Sequence, residues 1–242
     1  MLAPYAGSLV LLTHPSFVPP DDTSTIWHYM DIPKLLSLLV SKQLYFTRLD
    51  SFSDPWEGVW PQPVLDAIDP NSFLKEITPI SKKFFFVSCW HVSDHESAAM
   101  WDLYGEKGGV AIKTTCRELK KSLMSNDYYM SDVEYVDYTS HVLSNINLFD
   151  TVKLKRKSFS HEKEMRVVIC DMQNSTSNEN MAIVDFDNCK KISVDLSCLI
   201  SEIYVSPRSP SWLVTVLEDL LIKYELPTKK VIRSSLYDPL VY

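Results

Sequence analysis

Residues 162–171 read Glu-Lys-Glu-Met-Arg-Val-Val-Ile-Cys-Asp, and the reading of the fold starts from this run. Val167, Val168 and Ile169 are β-branched and favour an extended chain, so Glu164–Asp171 is a strand. Alternation sends Glu162, Glu164 and Arg166 to one side and Met165, Val167 and Ile169 to the other. The apolar side calls for further strands and helices to cover it.

Outward from this run the chain supplies them. Ile26–Met30 reads as a short strand. Asp31 caps a helix over residues 32–42, with Pro33 in its first turn and Ile32, Leu35, Leu36 and Leu39 at helical spacing. Leu44–Arg48 is a strand, Ser51–Gly58 a polar turn, and Lys83–Trp90 a strong strand. Ser97–Tyr104 is helical and Gly105–Gly109 breaks it. Val110–Thr114 is a strand, Cys116–Met124 a helix and Val133–Tyr138 a strand. A helix is expected over residues 145–160, carrying the basic run KLKRK, Lys153–Lys157. After the polar loop Gln173–Asn180 come strands Ile192–Leu196 and Glu202–Val205, the amphipathic helix Trp212–Tyr224 and a closing strand, Lys230–Arg233. Strands and helices are interspersed with few βαβ units. The spacing predicts an α+β single domain over residues 1–242, with 1–25 as an N-terminal extension.

The formal net charge is −7, from 24 basic and 31 acidic residues. That argues against a broad basic surface for sequence-blind nucleic-acid binding, while leaving room for a local basic groove. The apolar stretch Leu9–Leu12 is short and lacks a basic lead-in, so neither a signal peptide nor a membrane span is expected. The five cysteines are irregularly spaced with no CxxC, which fits reduced thiols in a cytoplasmic protein.

Several constellations could carry chemistry. Glu162 and Glu164 beside Arg166 read either as a salt-bridged strand end or as a carboxylate that offsets positive charge, with a second acting as base. His28, in a short strand, is a packed residue, a base or a hydrogen-bond donor to a ribose hydroxyl. Trp101 and Tyr104 share a helical face and serve either as core or as a platform for a planar ring. Gly105–Gly109 lacks the Gly-Lys-Ser/Thr ending of a P-loop. Cys89, His91 and His95 lack a fourth donor for a metal. The KLKRK run is either a solvated helix face or a grip on phosphates. Asp54 or Glu57 is expected to bond backbone amides or Arg48 and fix the turn over a cleft.

The chain resembles a large bacterial family described only as a domain of unknown function, DUF2971. The resemblance is carried by WHY at 27–29, LYFTRLDSFSDPWEG at 44–58 and FVSCWH at 86–91. MWDLYGEKGGVAI at 100–112, HEKEMRVVI at 161–169 and VIRSS at 231–235 complete it. The order of elements is in turn similar to the ADP-ribosyltransferase fold, in which mixed or antiparallel sheets with flanking helices form a cleft. That resemblance implies cleavage of NAD+ as substrate and transfer of ADP-ribose to a macromolecule, with RNA or DNA favoured slightly over protein because of KLKRK. It suits a bacterial toxin or phage-defence effector with an antitoxin or chaperone partner. It implies Glu164, Glu162 and His28 as catalytic residues. His28, Tyr29, Tyr45, Arg48, Ser88, Trp101 and Tyr104 would hold the dinucleotide, with no metal. The middle aromatic of a His–Tyr–Glu set stays open among Tyr45, Trp101 and Tyr104. Val87-Ser88-Cys89 is the nearest stretch to a Ser-Thr-Ser strand. An NAD glycohydrolase and an inert binding or sensor domain are the alternatives. His28, the Trp101–Tyr104 segment and Glu164 are expected to line one cleft.

Overall fold

In the first strand, β1 (Thr25–Asp31), Ile26 and Met30 point into the main core and Trp27 and Tyr29 pack on the opposite face. It runs directly into helix α1 (Ile32–Ser41). Asp31 accepts from the Lys34 amide at 2.8 Å, and the early Pro33 gives up an N–H that would have no helical partner. Lys42, left-handed at φ 52°, ends the helix and turns the chain back into β2 (Gln43–Arg48). The computed structural model describes residues 12–105, 108–125, 127–143, 146–172 and 188–239.

The turn that follows is closed by Gly58 at φ 68°, where an added Cβ would meet Leu49 at 2.7 Å. Helices α2 (Gln62–Ala67) and α3 (Phe73–Ser81) come next, unanticipated in the sequence, and Pro79 sits inside α3. Strand β3 (Phe85–Val92), helix α4 (Ala98–Tyr104), strand β4 (Gly109–Thr115) and helix α5 (Cys116–Ser122) match expectation to within a turn. Strand β5 (Tyr129–Asp132) was not expected, and β6 is short (Glu134–Val136).

The helix expected over residues 145–160 is not there. Instead the chain makes a single turn, α6 (Asp150–Lys153), then strand β7 (Leu154–Arg156), then a 3₁₀ segment, Lys157–Glu162. β7 pairs in parallel with β6, and Leu154 and Lys155 are both buried, which a regular solvated helix face cannot provide. Strand β8 (Glu164–Cys170) follows, then β9 (Cys189–Ser193). Leu196 opens helix α7 (Leu196–Leu199) rather than ending a strand, because Asp195 accepts from the Ser197 amide and caps it. Strand β10 (Glu202–Val205), helix α8 (Trp212–Lys223) and strand β11 (Lys230–Arg233) finish the chain as expected. The loop Gln173–Asn180 lies outside the described residues. Of the first 25 residues, Thr25 already belongs to β1, and Phe17 packs against Tyr129 and Phe149.

The architecture is α+β in one domain, with a mixed sheet ordered β11-β10-β4-β1-β3-β2-β9, to which β8 and β5 attach through β3. Among the described residues only β10–β11 runs parallel within it. The hub is β3. Along one edge it pairs with β8 from Phe85↔Cys170 to His91↔Glu164. Its other edge is divided. Val92 and His91 pair with β1, while Val87 and Phe86 pair with β2. Among the described residues no strand lies beside Ser88–Trp90 on that edge. β1 and β2 therefore diverge from β3 and leave a gap in the sheet, spanned by α1. The largest core, with Leu35, Phe46, Trp90 and Val167, lies on the α1 face; Phe85, Val87 and Val168 pack on the other.

Candidate functional site

The gap opens into a cleft of about 680 Å³, lined by residues of β1, α1, β2, β3 and α4 together with Glu162, Glu164 and Lys191. That volume is typical of small-ligand sites.

His28 enters the cleft from β1. Its Nδ1 lies 2.9 Å from the Cys89 carbonyl, one of the backbone groups on the unpaired stretch of β3, and its ring tilts against Trp90 at 4.7 Å. A carbonyl only accepts, so Nδ1 carries the proton and Nε2 is left as an acceptor. Burial pushes the His28 pKa down to about 4, more than the Cys89 carbonyl can offset, so the ring is neutral at ordinary pH. Of the two roles read from the sequence, this tautomer suits the accepting one: Nε2 can take a hydrogen bond from a hydroxyl but has no proton to donate.

Glu164 reaches the cleft from the other pleat face. Its Cα partner His91 pairs with Trp27 across β3, so alternation places His28 and Glu164 on opposite sides of the sheet. They share a cleft because β1 has separated from β2. Glu164 is 5% exposed. Its Oε1 accepts from Arg166 Nε at 2.7 Å, and its Oε2 from Lys155 Nζ at 2.8 Å and Arg166 Nη2 at 3.3 Å. Burial alone would raise its pKa, but Arg166 and Lys155 prevail and hold it at about 2. The Cys89 thiol lies close to this carboxylate, and burial, with the Glu164 charge, pushes its own pKa well up.

Around Glu164 is a buried charge cluster. Lys155 also contacts Glu57 at 3.2 Å and Glu162 at 2.7 Å, and Arg166 Nη2 meets Glu57 at 2.7 Å. Three carboxylates thus face two cations, leaving one excess negative charge at the end of the cleft. This settles two expectations. Three of the four cations of the basic run are engaged within the protein rather than forming a solvated phosphate grip: Lys155 is buried, Arg156 pairs with Asp54 at 2.8 Å, and Lys153 with Glu134 and Asp150, while Lys157 is exposed. The Asp54–Gly58 turn is fixed as expected in kind, through the Trp56 amide on Asp54, but its carboxylates bind Arg156, Arg166 and Lys155 rather than Arg48.

The other expected residues divide. Tyr29, Tyr45, Ser88 and Tyr104 line the cleft. The Tyr29 hydroxyl accepts from the Ser97 amide at 2.9 Å, and Ser88 Oγ accepts from Trp90 Nε1 at 3.2 Å. Tyr45 and Tyr104 are half-exposed at the mouth, and desolvation of the covered part of the Tyr104 phenol, with the nearby Glu162 charge, pushes its pKa up to about 12. Trp101 is 2% exposed, bonds Glu96 through its indole N–H and stands edge-on to Tyr29 at 4.9 Å; it is core, not lining. Arg48 is also absent from the lining and binds Asp50 at 2.7 and 3.0 Å. Among the described residues no three His, Cys, Asp or Glu side chains gather as metal donors.

Lys155, Glu57 and His91 were named in the sequence in other roles (a basic run, a turn carboxylate, a metal guess), and their places around Glu162 and Glu164 were not foreseen. The available signal was Arg166: a guanidinium inside an apolar strand needs buried carboxylates, although the sequence does not say which. No helix among the described residues is long and apolar enough to cross a membrane.

The model of a family described as "Protein of unknown function (DUF2971)" matches residues 100–167. The match runs from α4 to β8 and takes in Tyr104, Lys155, Glu162, Glu164 and Arg166. The WHY, DPWEG and FVSCWH segments lie outside it. No curated protein matches the chain.

Proposed function

We propose that the cleft binds NAD+ and cleaves its nicotinamide–ribose bond, passing ADP-ribose to a macromolecular acceptor as an ADP-ribosyltransferase does. The observation that carries this reading is the excess carboxylate charge at the end of a cleft whose wall offers a neutral, accepting imidazole. In the reaction the C1′–N1 bond breaks and its electron pair leaves with nicotinamide, which becomes neutral. The ribose acquires oxocarbenium character. An acceptor lone pair then forms the new bond to C1′, and the acceptor's proton passes to a carboxylate or to solvent. A negative cluster fixed before reaction is suited to positive charge that grows in the transition state. Met100 and Tyr104 supply apolar and aromatic surface beside it.

With Lys153, Lys155 and Arg156 paired within the protein and only Lys157 exposed in the KLKRK run, the net charge of −7 favours protein over nucleic acid as the acceptor. A second reading, a binding or sensor domain, is favoured by the saturation of Glu164, whose two oxygens already receive protein donors. Incubating the purified chain with radiolabelled NAD+ and cell lysate separates these. Label on a macromolecular fraction supports transfer, free ADP-ribose a glycohydrolase, and binding without turnover the sensor. Absence of binding would refute the NAD+ reading.

A further inference from the structure

We infer that Glu162, not Glu164, is the carboxylate that meets the ribose in the cleft, and that Lys155 and His91 are positioning residues that aim it. This assignment rests on the NAD+ reading above. Glu164 receives Arg166 twice and Lys155 once, so both of its oxygens are already engaged by charged donors. Glu162 differs. Its Oε2 accepts from Lys155 at 2.7 Å, and among the described residues its Oε1 has no hydrogen-bond partner. It also lines the cleft.

Glu162 is held from several directions. Its own carbonyl lies 2.6 Å from His91 Nδ1. Because a carbonyl cannot donate, His91 is the donor, and burial keeps the ring neutral by lowering its pKa. The next residue, Lys163, adopts a left-handed conformation at φ 39°, and its carbonyl accepts from the Val92 amide at 2.8 Å. The turn carrying Glu162 is thereby stitched to the end of β3. Its side chain is fixed by Lys155, whose ammonium is in turn pinned by buried Glu57 and Glu164. Glu57, Glu164 and Arg166 form a rigid frame, Lys155 transmits its position, and the unpartnered oxygen of Glu162 faces the ligand. A carboxylate held this way pays little reorganisation when positive charge develops beside it.

The test measures nicotinamide release and thermal midpoints for wild type, Glu162→Gln, Lys155→Met and His91→Asn, and for each positioning variant combined with Glu162→Gln. Glu162→Gln is expected to lower kcat by about 10²–10³, with KM within a few-fold and a midpoint near wild type. His91→Asn is expected to lower kcat roughly ten- to a hundredfold, and that loss should vanish in the Glu162→Gln background, because both changes act on one carboxylate. Lys155→Met should behave likewise, and where it fails to fold His91→Asn supplies the same comparison. Wild-type kcat in Glu162→Gln, or additive losses in the double variants, would overturn the assignment while leaving the NAD+ reading intact. No release by wild type would overturn that reading and this assignment together.

Discussion

Replacing Lys155 by Met removes the one cation that touches all three carboxylates of the buried cluster. Its ammonium lies 3.2 Å from Glu57, 2.7 Å from Glu162 and 2.8 Å from Glu164. Met keeps most of the volume of the stem, so the change is close to a pure loss of charge. The cluster goes from three carboxylates against two cations to three against one. Breaking a buried ion pair by removing one partner costs about 3–5 kcal/mol. For a chain of this size each kcal/mol moves the melting midpoint by about 2–4 °C, so a fall of roughly 6–20 °C is expected. The loss should depend on pH. With Lys155 gone, the Glu164 pKa moves up from its present low value, although Arg166 still holds it down. A smaller depression contributes less stability above the carboxylate range, and the contribution of both proteins is lost as pH falls through the folded pKa. The deficit should therefore be larger at pH 7 than at pH 3. Differential scanning calorimetry of both proteins at the two pH values makes the measurement. A loss below about 1 kcal/mol, the level of an exposed pair, would refute the claim that Lys155 is the hub of a buried cluster.

Acid sensitivity should report His28. Its folded pKa of about 4 lies below the ordinary 6.5, so the unfolded chain takes up a proton first and stability falls as pH drops from 6.5 towards 4. His28→Gln should flatten that part of the stability–pH profile measured by urea denaturation, and an unchanged slope would contradict the assignment. Glu164 adds a second acid limb, with its contribution present above pH 4.5 and lost towards pH 2. Asp54→Ala removes the acceptor for the Trp56 amide and the partner of Arg156, and should cost roughly 1–3 kcal/mol. No change in midpoint would show that the Asp54–Gly58 turn is held by other means.

The elements legible in the sequence were those with strong local rules. The Asp31 cap and early Pro33 located α1, and the alternation through Met165, Val167 and Ile169 located β8 and its core face. The stretch 145–160 misled because its structure is decided at long range. Lys155 turns inward only because Glu57, from a turn far upstream, and Glu164, from the next strand, wait there to neutralise it. A basic run read alone looks like a solvated face. The same distance effect governs the site. Glu162 and Glu164 were legible as a pair by spacing, yet the difference between them depends on which oxygens Arg166 and Lys155 already occupy. Trp101 and Tyr104 share a helical face in sequence, but edge-on packing with Tyr29 takes Trp101 into the core and leaves Tyr104 at the mouth. The divergence of β1 and β2 from β3, which makes the cleft, is a property of register, and no short motif encodes it.

The most direct test of the central claim is nicotinamide release from NAD+ by the purified chain, followed by chromatography alongside calorimetric titration of NAD+ into the same protein. The account requires a heat of binding in wild type, release of nicotinamide with time, and loss of that release in Glu162→Gln without loss of fold. A wild-type protein that is folded by calorimetry, yet shows neither a heat of binding nor any nicotinamide, would contradict it.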